Sequence, residues 1–135
     1  MVTGLDLLFL EVNNLEDSLS FYRDQLGFQI ESNNGGAEPP MATVRAGTLR
    51  ITLVQQIETM LKRGRGVHFV LGTSDVDQFH DALRAKQVQI SPPADEGWGG
   101  RFVTVKDPDG YRLFFVSWNS EPVNNLNGSL AEESQ

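Results

Sequence analysis

An internal repeat of about 60 residues constrains the fold of this 135-residue chain more than any other feature. Apolar positions of the two copies match at shifts of 61, 60 and 62 residues: Leu15 with Val76, Ile30 with Ile90, and Ile51 with Leu113. Each copy has the order strand, helix, strand, strand, strand. A repeat of this length indicates two supersecondary units of one kind. We therefore predict an α+β fold built from two βαβββ modules.

Hydrophobic periodicity and turn residues place the elements. The predicted strands cover residues 5–12, 28–32, 41–46, 49–55, 67–71, 88–90, 101–106 and 111–118, with a loop at 92–100. Asn14 is the expected N-cap of the first helix and Gly27 its terminator, because Asn caps orphan N–H groups and Gly adopts a left-handed conformation. Ser74 is the expected N-cap of the second helix.

The chain is long enough for one domain, which we expect to span residues 1–118 with modules at about 4–65 and 66–118. Residues 119–135 are rich in Asn, Glu and Ser, which predicts a flexible C-terminal tail. The first residues carry no basic segment, and no run reaches the roughly 18 apolar residues of a membrane span. The absence of cysteine excludes a disulfide framework and a thiolate metal site. These features predict a cytoplasmic protein.

The net charge of -7 argues against nucleic acid as a partner, because such binding depends on neutralising phosphates. Alternation along the strands separates two faces. One face is wholly apolar, as expected beneath the helices: Leu8, Leu10, Val12, Ile51, Leu53, Phe69, Leu71, Leu113 and Phe115. The other mixes aromatic, polar and charged residues: Leu7, Phe9, Glu11, Arg50, Thr52, Val54, His68, Val70, Arg112, Phe114, Val116 and Trp118. That mixture is typical of either a ligand cavity or a subunit interface.

Two segments carry a family resemblance: VNNLEDSLSFYRDQLGFQI at 12–30 and WGGRFVTVKDPDGYRLFF at 98–115. They resemble the first helix and the C-terminal signature of the vicinal-oxygen-chelate superfamily, which includes glyoxalases, bleomycin-resistance proteins and extradiol dioxygenases. With the repeat, the resemblance covers about residues 4–118. It implies a cupped mixed sheet with the helices on its outer face, usually in a homodimer.

Enzymes of that superfamily hold a divalent metal on the first and last strands of each module. The resemblance carries the four ligand positions onto Leu7, Thr52, His68 and Phe114, of which only His68 has a conventional donor. We therefore expect no metal and no other cofactor. The chain is then most similar to the metal-free, bleomycin-resistance-like branch, whose members sequester aromatic, often cationic drugs.

The leading hypothesis is a homodimeric, resistance-like protein that binds an aromatic or cationic small molecule in its cavity. The candidate ligand-binding residues are Leu7, Phe9, Glu11, Arg50, Thr52, His68, Trp98, Arg101, Arg112, Phe114 and Trp118. Glu11 and Glu96 favour a cationic ligand, whereas the three arginines favour an acidic one. His68 is the candidate proton shuttle if a reaction is catalysed. Two alternatives stay open: a lyase or dioxygenase with unrecognised metal ligands, and a dimeric regulatory or scaffold protein without a ligand.

Overall fold

Two four-stranded mixed sheets correspond to the two copies of the repeat in a computed structural model of the chain, which describes residues 1–56, 63–64, 66–97 and 99–118. The first sheet contains β1 (Leu8–Val12), β2 (Gln29–Asn34), β3 (Met41–Ala46) and β4 (Leu49–Gln55), in the order β1-β4-β3-β2. The second contains β5 (His68–Gly72), β6 (Ala94–Asp95), β7 (Gly100–Lys106) and β8 (Arg112–Trp118), in the order β5-β8-β7-β6. The predicted α+β fold of two βαβββ modules is confirmed.

The described residues form two compact units, the first within 1–67 with 106–111 and the second within 68–105 with 112–118. In each unit the first strand runs parallel to the last: β1 pairs with β4, and β5 pairs with β8. The predicted apolar face is mostly buried, although Leu8 and Leu71 are half-buried. Val54 and Val116, predicted on the mixed face, are buried as well. The exposed fraction is at most 9% for Leu10, Val12, Ile51, Leu53, Phe69, Leu113 and Phe115. None of the described helices is long and apolar enough to cross a membrane.

In the first unit, α1 (Leu15–Leu19) continues directly as a π-helical segment (Ser20–Gln25). The predicted N-cap is confirmed, because Asn14 Oδ1 accepts a hydrogen bond from the backbone N–H of Asp17 at 2.9 Å. Gly27 follows the helix with φ of 82°, a left-handed conformation that suits glycine. Leu15, Leu19 and Tyr22 are almost fully buried, so this helix covers the apolar face of its own sheet.

In the second unit, α2 (Val76–Ala85) begins one residue later than predicted. The N-cap is Asp75 rather than Ser74: Asp75 Oδ1 accepts from the N–H of Gln78 at 3.1 Å. Ser and Asp are comparable N-cap residues, so the sequence does not determine which of Ser74 and Asp75 caps the helix. The packing of the helix decides it. On the buried side of this sheet, the Phe79 and Phe115 rings lie 4.4 Å apart.

Several strand limits differ from the prediction. β1 begins at Leu8 instead of residue 5, and β2 extends through Asn34, so that the turn starts at Gly35. The predicted strand 88–90 is reduced to one bridge between Ile90 and Val105. The short β6 lies instead inside the predicted loop. Pro92 and Pro93 stand between the two pairings, and they interrupt the ladder because proline has no N–H to donate.

The Asp107-Pro108-Asp109-Gly110 turn is anchored to the first unit by a buried carboxylate. Asp107 is 5% exposed, and its side chain accepts hydrogen bonds from Tyr22 Oη at 2.7 Å, Asp109 N at 2.9 Å and Tyr111 N at 2.8 Å. Burial raises the pKa of Asp107 to about 6, although all three hydrogen bonds act in the opposite direction. Burial, followed by the negative charge of Asp107, raises the pKa of Tyr22.

A second buried contact joins the same turn to the segment that precedes β5. The Arg63 guanidinium donates to Asn13 Oδ1, Glu11 Oε1 and the carbonyl oxygen of Gln56 at 2.8–3.1 Å. Its side chain is only 4% exposed, and its Nε lies 3.9 Å from Asp109 Oδ1. Arg63 therefore fixes the end of β1, the turn and the segment before β5 to one another within the first unit.

Candidate functional site

An aromatic row crosses the solvent-facing side of the second sheet. Phe114 on β8 has its ring centre 5.4 Å from that of His68 on β5 and 5.6 Å from that of Phe102 on β7. The Phe102 and Phe114 planes are inclined by 22°, and the His68 and Phe114 planes by 37°. Rings 4.5–7 Å apart attract one another, so they support one another's orientation on three neighbouring strands. The three rings therefore form one continuous aromatic row on this side of the sheet.

Strand register explains why these side chains meet. β5 and β8 are parallel neighbours in which His68 is paired with Arg112 and Val70 with Phe114. Alternation brings Trp118 to the same side as Phe114. We call this surface the aromatic face; it comprises His68, Val70, Phe102, Arg112, Phe114 and Trp118. Exposure is 63% for Val70 and 42% for Trp118, and Phe102 and Phe114 are partly exposed. Val116, which alternation also predicts on this side, is instead buried, with 2% exposed.

Phe102 is absent from the residues chosen by sequence reasoning, although its signal is present in the sequence. The signal is the alternation of side chains along β7. On β7, Val103 and Val105 are 0% and 1% exposed, so they belong to the core. Phe102 must therefore point to the opposite side, where it meets Phe114.

Arg112 is the charged member of the aromatic face. It is exposed, and among the described residues no side chain or carbonyl group lies within hydrogen-bond or ion-pair distance of its guanidinium. It stands two residues before Phe114 on β8 and opposite His68 on β5. Cationic and aromatic groups are therefore adjacent on one rigid pair of strands.

The structure does not bring Arg101 to this face. Its guanidinium binds both carboxylate oxygens of Asp77 on α2 at 3.0 Å and Asp95 Oδ1 at 3.2 Å. The helix lies on the buried side of the sheet, so Arg101 and the neighbouring Phe102 point in opposite directions. Its hydrogen bonds to Asp77 and Asp95 raise the pKa of Arg101, and the same contact lowers the pKa of Asp77. These three charges neutralise one another locally.

In the first unit, Phe9 and Thr52 are paired across β1 and β4. The Thr52 and Thr43 hydroxyl oxygens lie 2.8 Å apart and share a hydrogen bond. Phe9 is 62% exposed, whereas Leu7 is half-buried just before β1. The solvent-facing side of the first sheet thus offers one ring and a hydroxyl pair.

The charged candidates of the first unit have partners. Arg50 makes two hydrogen bonds to the Glu31 carboxylate, at 2.9 and 2.7 Å, which lower the pKa of Glu31. Glu11 accepts from Arg63 at 3.0 Å. A ligand that uses Arg50 or Glu11 must therefore compete with an existing ion pair.

The loop before β7 contains two further candidate residues. Trp98 lies outside the described residues. Glu96 is partly exposed, and its backbone N–H donates to the carbonyl oxygen of Gly100 at 2.8 Å. The loop is thus attached to the start of β7 through its backbone.

The donor atoms do not fit the divalent metal that the superfamily's enzymes hold. Leu7 and Phe114 have no donor, and a neutral Thr52 hydroxyl is a weak one. The register partners Phe9 of Thr52 and Val70 of Phe114 also lack donors. Over the described ranges, no group of three or more His, Asp or Glu side chains has a metal-binding arrangement.

Comparison with known proteins finds a sequence relative and solved structures of similar fold. Lactoylglutathione lyase from Haemophilus influenzae is 27% identical over 117 residues, covering 79% of this chain and 87% of the relative. The solved structure of TnmS3, an antibiotic binding protein from Streptomyces sp. CB03234, has a TM-score of 0.73 at 24% identity and covers 87% of this chain and 97% of its own. A mutant of the fosfomycin resistance protein FosX from Listeria monocytogenes, solved with Mn(II) and 1S,2S-dihydroxypropylphosphonic acid, has a TM-score of 0.74 at 17% identity, covering 87% of this chain and 94% of its own.

These structural likenesses agree with the observed pair of βαβββ modules, and at such identities they concern the fold alone. A family model supplies the assignment, because it matches residues 4–115 and therefore most of the chain. The match spans both repeats and both segments that carried the resemblance. This chain belongs to the Glyoxalase/Bleomycin resistance protein/Dioxygenase superfamily.

Proposed function

We propose that this protein binds a small planar aromatic molecule on the aromatic face of the second sheet, without the help of a metal ion. The observation that carries the proposal is the row His68–Phe114–Phe102, in which His68 is exposed and both phenyl rings are partly exposed. A ligand ring stacked on such a row gains about 0.5–1.5 kcal/mol per aromatic contact beyond the area it buries. Sequestration of a toxic aromatic compound is the role that this binding would serve.

The donor chemistry supports the metal-free part of the proposal. A catalytic metal site needs about three imidazole or carboxylate ligands, and the superfamily positions supply one, His68. The antibiotic binding protein TnmS3 has the same fold, so this fold is compatible with a protein whose function is to bind a small molecule. The ligand-binding roles of Leu7, Phe9, Glu11, Arg50 and Thr52 stay predictions that this proposal does not use.

The test uses 2-naphthalenemethanol, a neutral two-ring probe, with a chelator present throughout. Backbone amide shifts in NMR spectra give both the dissociation constant and the location of the bound probe. We expect the largest shifts in β5 and β8. Phe114→Leu, which removes the ring and keeps apolar volume, should weaken binding about threefold to tenfold.

The matched control is Phe79→Leu, the same change on the helix side of the same sheet, where Phe79 packs on Phe115. It should leave the affinity unchanged, with melting curves to verify that both variants are folded. Absence of any shift in β5 and β8, or equal weakening by the two variants, would refute the proposal.

A second candidate function is a glyoxalase-type enzyme, favoured by the likeness to lactoylglutathione lyase. His68 would then be the acid–base group, since histidine is the side chain that most often transfers protons in catalysis. Turnover of a hemithioacetal that is lost in His68→Gln and retained in Phe9→Leu would establish it.

We also propose that the protein is a homodimer. β1 is an edge strand of its sheet, and its Phe9 side chain is 62% exposed. Exposed apolar edge strands are normally covered in the functional state. Analytical ultracentrifugation should give twice the chain mass of 15.0 kDa. A monomer at micromolar concentration would contradict this assembly.

A further inference from the structure

We infer that the molecule bound on the aromatic face is an anion, whose negatively charged oxygen group is held by Arg112 and His68 while its ring stacks on Phe114. The inference rests on the proposed function and adds the class of ligand. It decides between the cationic and the acidic ligand that the sequence left open.

The charges on the aromatic face favour an anionic ligand. The chain as a whole is strongly acidic, with a net charge of -7. The residues of the aromatic face include no Asp or Glu, and Arg112 is their one permanent charge. A cationic ligand would find no counter-charge at these positions and would be repelled by the guanidinium.

Arg112 differs from the other two candidate arginines in its ion-pair partners. Arg50 already has the Glu31 carboxylate, and Arg101 has Asp77 and Asp95. Arg112 has no such partner among the described residues. Its five N–H donors are therefore available to a carboxylate without the loss of an existing ion pair.

The spacing suits a single small molecule. Arg112 and Phe114 lie two residues apart on one strand, which corresponds to about 7 Å. His68 is the register partner of Arg112 on the neighbouring strand, about 5 Å away. In the described part of the chain its ring contacts Phe114, and neither ring nitrogen has a hydrogen-bond partner. A two-ring aromatic carboxylate can therefore place its ring over Phe114 and its oxygens between Arg112 and His68.

Three probes of equal size and different charge test the inference: 2-naphthoate, neutral 2-naphthalenemethanol and the 2-naphthylmethylammonium cation. Dissociation constants are measured from the amide shifts of β5 and β8 at low salt. Because the site is exposed, we expect about a fivefold preference for the anion over the neutral probe. The cation should bind more weakly than either. Added salt should remove the preference, because it screens charges at the surface.

Arg112→Gln should weaken 2-naphthoate about fivefold and leave 2-naphthalenemethanol unchanged. Arg84→Gln, an exposed arginine on α2, is the matched control and should alter neither constant. If the neutral probe binds as tightly as the anion, or the cation binds best, the inference is wrong while the proposed function stands. If none of the three binds, the proposed function falls as well.

Discussion

Replacing the buried Asp107 by Asn should change how the stability of the protein depends on pH. The carboxylate is 5% exposed and burial raises its pKa from the ordinary 3.8 to about 6. The folded state therefore binds a proton more tightly than the unfolded state does. Stability from this group is fully present below about pH 4 and is lost as the pH rises through 6.

The magnitude follows from the two pKa values. Each tenfold difference in proton affinity corresponds to about 1.4 kcal/mol, so a rise from 3.8 to about 6 sets an upper bound of about 3 kcal/mol. Asn keeps the shape and the oxygen acceptor for the N–H groups of Asp109 and Tyr111 but has no charge to desolvate. Part of this change is already complete at pH 4.5, so between pH 4.5 and 7.5 the unfolding free energy of Asp107→Asn should rise by about 2 kcal/mol relative to the parent protein.

Urea denaturation of both proteins at a series of pH values measures this difference. Other titrating groups cancel in the comparison, including Glu31 and Asp77, whose pKa values are lowered by Arg50 and Arg101 and which lose their stabilising effect in acid. A difference that is constant with pH would refute the reasoning. A fall toward pH 7.5 would mean that the three hydrogen bonds outweigh the desolvation of the carboxylate.

Four further substitutions test three local features by thermal and urea unfolding. Gly64→Ala should destabilise the protein by more than about 2 kcal/mol, because the new Cβ would lie 2.7 Å from the Gly110 carbonyl oxygen. Gly66 has the same φ of 75° but open space around it, so Gly66→Ala should cost only about 1 kcal/mol. Equal costs for the two variants would contradict the steric explanation. Gln87→Gly should stabilise by about 0.5–1 kcal/mol, because Gln87 has φ of 64°; a loss of stability would contradict the strain. Ser18→Ala should stabilise by about 1 kcal/mol, as the Ser18 hydroxyl is buried without a partner among the described residues; a loss above that amount would reveal a hidden hydrogen bond.

The fold was predictable because two independent periodicities agree in this sequence. The 60-residue repeat set the module, and alternation identified the buried face, including Ile51, Leu53, Leu113 and Phe115. β3 and β4 occur at the predicted limits, where apolar alternation is bounded by Pro40 and by the Ala46-Gly47-Thr48 turn. The prediction failed where local chemistry was ambiguous, as at the Ser74–Asp75 cap and around Pro92.

The site was less predictable because it depends on which way neighbouring side chains turn and on what they bind. Arg101 has the same charge as Arg112, yet α2 supplies Asp77 to one and nothing to the other. The residue spacing within β7 or β8 cannot predict which arginine gains a carboxylate partner, because this depends on where α2 packs in the folded chain. The stacking of Phe102 on Phe114 could have been inferred from alternation on β7, whereas its ring angle could not.

Of the four superfamily metal-ligand positions, only His68 has a conventional donor in this chain. Fold is shared among proteins with and without a metal, so function has to be argued from the donor set of each member. Here Leu7 and Phe114 have no donor atom and Thr52 has only a weak one, and an aromatic row with an adjacent guanidinium lies on the second sheet.

Metal-independent aromatic binding is tested most directly by isothermal titration of 2-naphthalenemethanol into chelator-treated protein, repeated after addition of Zn, Ni or Mn ions. We predict the same affinity in every case, and no stoichiometric heat when the ions are titrated alone. Binding that appears only with an ion, or one ion held tightly per chain, would contradict the account and place this protein among the metal-dependent enzymes.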